Sequence, residues 1–141
     1  MNAYDISISG LNVEWQRLEI IAQNLANMNS SAADGSTFQP LRLVSGPAQS
    51  FQSTLDQAGE HAGPMGVQVL GVEADSTRPR QVLDPDHPHA DAEGFVNYPD
   101  IDHAAQMTLM IRTSRAYEAN LTTITLAQQM YSRALEIGRQ A

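Results

Sequence analysis

Apolar residues near the N-terminus recur every seven positions, with Ile8, Trp15 and Ala22 in one row and Leu11, Leu18 and Leu25 in the other. On a helix these rows merge into a single stripe. The spacing therefore predicts one long amphipathic helix over residues 4–28, about 37 Å long at the helical rise. A second run with the same period follows Pro99, which suits a first helical turn, with Asp100 and Asp102 placed against the N-terminal dipole and no further Pro or Gly before Gly138. This predicts a helix of about 40 residues, about 60 Å long. Its rows are Met107, Ser114, Leu121, Gln128 and Leu135, and Met110, Tyr117, Ile124 and Tyr131. A neighbouring stripe of Leu109, Ala116, Met130 and Ile137, with Ala127 and Ala134 beside it, widens the apolar face beyond a two-helix seam.

Between the two runs the periodicity collapses. Residues 29–66 are rich in Ser, Ala, Gly, Asp and Gln, and Pro40, Pro47 and Pro64 exclude a long helix there. Residues 38–44 are a candidate strand, and residues 67–72 a firmer one, with Val67 and Val69 alternating with polar neighbours. Strands at residues 81–83 and 95–98 are expected to pair with the latter as a small antiparallel sheet. The fold class is thus mainly α with a small β region. Residues 1–29 and 98–141 form long helices pairing as a coiled coil, and residues 30–97 form a loop-rich insertion with short strands.

The second helix is expected to outrun the first by about 15 residues, or about 22 Å. Its stripe then outlasts its partner, and a contiguous apolar face left open on a soluble chain marks an assembly surface. The competing arrangement is a compact three-layer monomer whose middle segment folds back over the overhang.

Composition narrows the partners. At 141 residues the chain holds one compact domain, or a small domain plus helices completed by other subunits. With 17% charged and 42% hydrophobic residues the chain is not disordered as a whole, and its polar surface is largely neutral, as suits contact with protein. The formal charge is −8, and all eight basic residues are scattered arginines. That excludes the clustered cationic face needed by nucleic acid or an anionic membrane surface. No stretch approaches the 18 apolar residues of a membrane span, so no membrane insertion is expected. Residues 1–10 lack the basic and continuous apolar regions of a cleavable signal, so a chain leaving the cytoplasm would use another route. Cysteine is absent, which removes disulfides, thiolate metal sites and thiol nucleophiles.

Candidate chemistry is sparse. His87 and His89 lie among Asp84, Asp86 and Asp91 and could offer imidazole and carboxylate to zinc or nickel. Pro85 and Pro88 instead make this segment a set of solvated turns, and no metal is assigned. No Ser, His and Asp set stands in an elbow context, and no Gly-rich phosphate loop opens a helix. Catalytic residues, cofactors and a small-molecule substrate are therefore not expected.

Three stretches resemble the rod family of flagellar axial proteins, and its FlgC branch in particular. The first runs from Arg17 and Leu18 through Ala22-Gln23-Asn24-Leu25-Ala26-Asn27, similar to the signature that closes the first helix across rod and hook proteins. The second includes Gly66-Val67-Gln68-Val69, Val72, Asp75, Pro79-Arg80, Val82, Pro85, His87-Pro88, Ala90-Asp91 and Gly94-Phe95-Val96. It resembles the middle segment of that branch. The third is Tyr98-Pro99-Asp100-Ile101-Asp102, then Met107, Met110-Ile111 and Ser114-Arg115-Ala116-Tyr117-Glu118-Ala119-Asn120. Asp100 and Asp102 stand where the family usually has Asn, and residues 30–63 match poorly.

The resemblance implies a structural subunit of the proximal rod. It would be synthesised in the cytoplasm, exported unfolded by the flagellar type III apparatus without signal cleavage, and assembled helically in the periplasm with copies of itself and other rod proteins. The rod transmits torque and encloses the export channel. The expected assembly interface comprises Leu11, Trp15, Leu18, Leu25, Met107, Met110, Tyr117, Leu121, Ile124, Tyr131, Leu135 and Ile137. Asn24, Asn27 and Asn120 are added as amides that set register near a seam. Another rod or hook protein, or a secreted coiled-coil export adaptor, are the alternatives.

Overall fold

A computed structural model describes residues 3–48 and 65–140. The rest of the expected loop, including Pro64, lies outside the described residues, as do Met1, Asn2 and Ala141. The order is α1 (Ala3–Asn27), β1 (Leu41–Pro47), β2 (Val67–Ala74), β3 (Arg80–Leu83), β4 (Phe95–Tyr98) and α2 (His103–Gln140). The mainly helical class with short strands follows the pattern of the sequence.

Helix α1 stops where its last carbonyls find side-chain and turn partners. The Asn27 amide donates to the Gln23 carbonyl at 2.8 Å, and the Ser30 hydroxyl and amide both donate to the Asn27 carbonyl. Helix α2 starts later than Pro99 suggested. Asp102 is its N-cap, accepting the Ala105 amide at 3.1 Å, while its own carbonyl takes the Gln106 amide. Pro99 is buried just after β4 and closes that strand instead, consistent with its missing amide hydrogen.

The strand pairing also differs from expectation. The four strands form two separate ribbons, β1 with β2 and β3 with β4, so β2 does not pair with β3 or β4. Prolines bracket β1, with Pro40 just before it and Pro47 ending it, which made this segment weak by composition. The β3–β4 ladder is antiparallel, from Arg80↔Tyr98 to Leu83↔Phe95. Its connection builds its own partners. The Asp91 carboxylate accepts the amides of Glu93 and Phe95, and the Gly94 carbonyl accepts the Asp84 amide. Gly94 has φ 84°, and a Cβ there would also come within 3.2 Å of Pro85, so glycine is required twice over.

The described residues group into two compact units, one drawn from Met1–Gln16, Val44–Gly71 and Thr113–Ala141, the other from Arg17–Leu43 and Val72–Arg112. Each takes part of both long helices. Buried residues of the first include Ser7, Val13 and Thr113; those of the second include Ile20, Ile21, Asn24, Leu43 and Val96.

Candidate assembly interface

In the first unit α1 and α2 meet antiparallel through small and polar side chains. Gly10 lies against Asn120 so closely that a Cβ would stand 3.0 Å from its amide nitrogen. Trp15 tilts against Tyr117 with ring centroids 6.2 Å apart. Since Gly10 lies opposite Asn120, α1 runs out opposite the Ala127 turn, and every α2 residue from Gln128 to Arg139 is exposed. In the second unit Asn24, on the last turns of α1, reaches Gln106 on the first turn of α2.

Burial along α2 recurs at Gln106, Met110, Thr113, Tyr117, Asn120, Ile124 and Ala127, in steps of four and three. Met110, Tyr117 and Ile124 of the predicted rows share this inner face. The other predicted row is one residue out of phase, about 100° around the helix. Its Met107, Leu121, Gln128 and Leu135 are exposed accordingly, while Ser114 is half-buried. Helix α1 shows the same offset: Ser7, Val13, Ile20, Ile21 and Asn24 are buried, Ile8, Leu11, Leu18, Leu25 and Asn27 are half-buried, and Trp15 and Ala22 are exposed. One predicted row of α2 thus lies on the face the chain uses for its own helix contact through Met110, Tyr117 and Ile124, and the other lies beside it. Gly10, Gln106 and Thr113 were missed because they are not apolar, and the buried Val13, Ile20 and Ile21 because they fall outside the two heptad rows. A glycine within an otherwise helical pattern was the one available signal.

The outward face is strongly apolar. Met130, Tyr131, Leu135 and Ile137 are 59–73% exposed. Ala3, Tyr4, Ala127, Met130, Tyr131 and Ala134 line an open cleft of about 720 Å³ near the start of α1. Thr108, Thr122, Thr123 and Thr125 each donate their hydroxyl to the carbonyl four residues back. Their hydroxyls are satisfied within the helix, which lowers the desolvation cost of covering this surface.

The His-Pro segment is an internally bonded turn. The His87 Nδ1 accepts the His89 amide at 3.1 Å, and the His89 ring bonds the Ser31 hydroxyl at 2.9 Å. The two rings meet edge-on at 5.3 Å. Both Nδ1 atoms are thus occupied by protein, and no group of three His, Cys, Asp or Glu able to hold a metal occurs among the described residues. No helix of the described residues is long and apolar enough to cross a membrane.

Comparison with known proteins covers the same two helices. Residues 5–31 match the family described as flagella basal body rod protein, and residues 92–137 match the flagellar basal body rod FlgEFG protein C-terminal family. Over 98% of this chain and 97% of the relative, the sequence is 32% identical to the flagellar basal-body rod protein FlgC of Bacillus subtilis. It is 32% identical to FlgC of Yersinia enterocolitica over 99% of this chain and 98% of that one. FlgC of Aquifex aeolicus is 34% identical over 96% and 94% of the two chains. With both terminal helices matched and near-complete coverage above 30% identity, the chain belongs to the FlgC family of flagellar basal-body rod proteins, structural subunits of the rod.

Proposed function

We propose that the chain serves as a proximal-rod subunit, exported unfolded through the flagellar type III apparatus without signal cleavage and assembled helically in the periplasm. Its partners are copies of itself and other rod proteins, and together they form the drive shaft and the wall of the export channel. It works without a catalytic step. Residues 1–29 and 98–141 supply the helical rod core, and residues 30–97 an insertion on it.

One observation carries this reading: the last turns of α2, with Tyr131, Leu135 and Ile137, extend past α1 with their apolar side chains open. A shaft needs stiffness under torque, and many close apolar contacts shared among neighbours provide it without any single strong bond. Trp15, Met107 and Leu121 extend the same kind of surface along the helices.

The test is truncation in a strain lacking the native subunit. Removing the chain from Leu135 onward should leave it exportable but unable to support filaments. Removing Asn2 through Ile8 should impair export itself. Filaments on the C-terminally trimmed subunit, or equal accumulation of both truncations outside the cell, would overturn the reading.

A further inference from the structure

Between α1 and β1 lies the chain's one Asp–Gly or Asn–Gly pair, Asp34–Gly35. Aspartate before glycine is the pairing at which a side-chain carboxyl is most open to attack by its own backbone, because the next residue has no Cβ to shield the attacking nitrogen. The turn that holds this pair opposes the reaction at both reacting groups. The Gly35 amide donates to the Ala32 carbonyl at 3.1 Å, so the nitrogen that would attack is engaged. The carboxyl it would attack accepts the Ser36 amide at 2.9 Å and the Ser36 hydroxyl at 2.7 Å, both at Oδ1. Those bonds, the hydroxyl's first, hold the carboxyl below the ordinary aspartate range and favour the carboxylate, which cannot release water directly. Gly35 sits at φ 75°, and its carbonyl accepts the Asn97 side-chain amide at 3.2 Å. Residues 33–36 are all exposed, so hydrogen bonding and not burial supplies the restraint.

We propose that Asp34–Gly35 is a site of spontaneous isoaspartyl modification, open while the chain is unfolded and closed once the turn over residues 32–36 is set in the rod. In the open state the Gly35 nitrogen bonds to Asp34 Cγ, a carboxyl oxygen leaves as water with the amide proton, and a five-membered imide forms. A water then adds to the Asp34 main-chain carbonyl carbon and breaks its bond to the Gly35 nitrogen. Asp34 is left with a free α-carboxyl, and the backbone runs on through its Cβ and Cγ, one atom longer than before. Nothing is oxidised or reduced. The longer path cannot hold the Ala32–Gly35 and Gly35–Asn97 bonds in their present register, so a modified chain loses the turn. The closed state rests on the rod reading, and the chemistry of the unfolded chain does not.

The test compares the full chain in two states. Basal bodies isolated from motile cells are incubated at neutral pH beside the purified chain in the same buffer with guanidinium chloride. Isoaspartate at residue 34 is read by isoaspartyl methyltransferase labelling and by fragment masses. It should accumulate in the unfolded chain ahead of Asp75–Ser76. In basal bodies it should form at least about 10-fold more slowly, because the reaction there follows the open population of the turn. Ser36→Ala removes the hydroxyl bond and should speed the reaction several-fold in basal bodies while leaving the unfolded rate unchanged. Asp34→Glu would need a six-membered ring and should abolish labelling at this position in both states. No isoaspartate at residue 34 in the unfolded chain overturns the site. Equal rates in the two states, or an unmoved rate for Ser36→Ala in basal bodies, overturns its closure by the turn. If Ser36→Ala subunits do not enter basal bodies, the unmodified chain in its two states decides. Absence of the chain from basal bodies would overturn the rod reading and the closed state with it, whereas the unfolded chain alone decides the site.

Discussion

In the unit formed from Arg17–Leu43 and Val72–Arg112, Ile20, Ile21, Leu43 and Val96 are buried and the central amide of Asn24 is fully bonded. In the other unit the helices meet through Gly10 and Asn120, while Leu121, Tyr131, Leu135 and Ile137 remain open to solvent. The first arrangement encloses a small apolar core with its own chain, while Leu83, Met107 and Ile111 stay exposed. The second leaves more than the chain can cover, because α2 has 38 residues against 25 in α1. The contrast is between a region that buries a small core around a bonded amide and a region whose apolar helix surface, on the proposed rod reading, is left for neighbouring subunits.

The strongest test of that contrast is Leu121→Asp. Leu121 is 44% exposed in the single chain, so the folded subunit should change in stability by no more than about 0.5 kcal/mol. Motility should nevertheless be abolished, because the carboxylate would be buried unpaired in the assembly. Thermal unfolding and swimming assays read the two effects separately, and normal swimming would remove Leu121 from the assembly surface.

Val96→Ala should do the reverse. Val96 is 0% exposed, so deleting two methyl groups should cost about 2 kcal/mol of stability in the isolated chain. Denaturant unfolding measures it, and a shift no larger than that of an exposed residue would contradict the closed core.

Gly10→Leu probes the polar helix contact. Its side chain must displace Asn120, and overpacking should destabilise by about 1–3 kcal/mol. Trp15 emission reports the change locally because its ring stacks at a tilt on Tyr117. An unaltered spectrum and midpoint would mean that the helices do not need to approach closely there.

Smaller effects are expected at the turns. His87→Ala with His89→Ala removes the Ser31 bond and should cost about 1 kcal/mol while leaving motility intact. Loss of swimming, restored by metal in a related histidine variant, would instead indicate a metal role.

The least effect concerns Asp34. The Ser36 hydroxyl and then the Ser36 amide donate to its carboxylate, holding its pKa below the ordinary aspartate value. Any stability it adds is present above the unfolded pKa and lost as pH falls through the lowered folded value. Its NMR titration midpoint should rise toward the ordinary range in Ser36→Ala, and an unmoved midpoint would exclude this hydrogen bond as the cause.

The long helices, the β4 bounds and the family were legible in the sequence because each depends on local pattern. Heptad spacing persists over many turns, and Tyr98-Pro99 and Ser114-Arg115-Ala116-Tyr117-Glu118-Ala119-Asn120 stand in order along the chain. The inner face of the helix pair was legible only in part: Met110, Tyr117, Ile124, Asn24 and Asn120 stood at the expected seam and face the other helix. Gly10 and Gln106 lie in the helix contact because one is small and the other can hydrogen-bond, and hydrophobic periodicity is blind to both properties. Strand partnership was likewise a tertiary decision. The sequence by itself determined that β1 and β2 were candidate strands, but a strand's edge groups accept any backbone of suitable register. Only the folded chain set β2 on one edge of β1 and the Asn24 amide on the other, because burial leaves no unpaired polar group at Leu41.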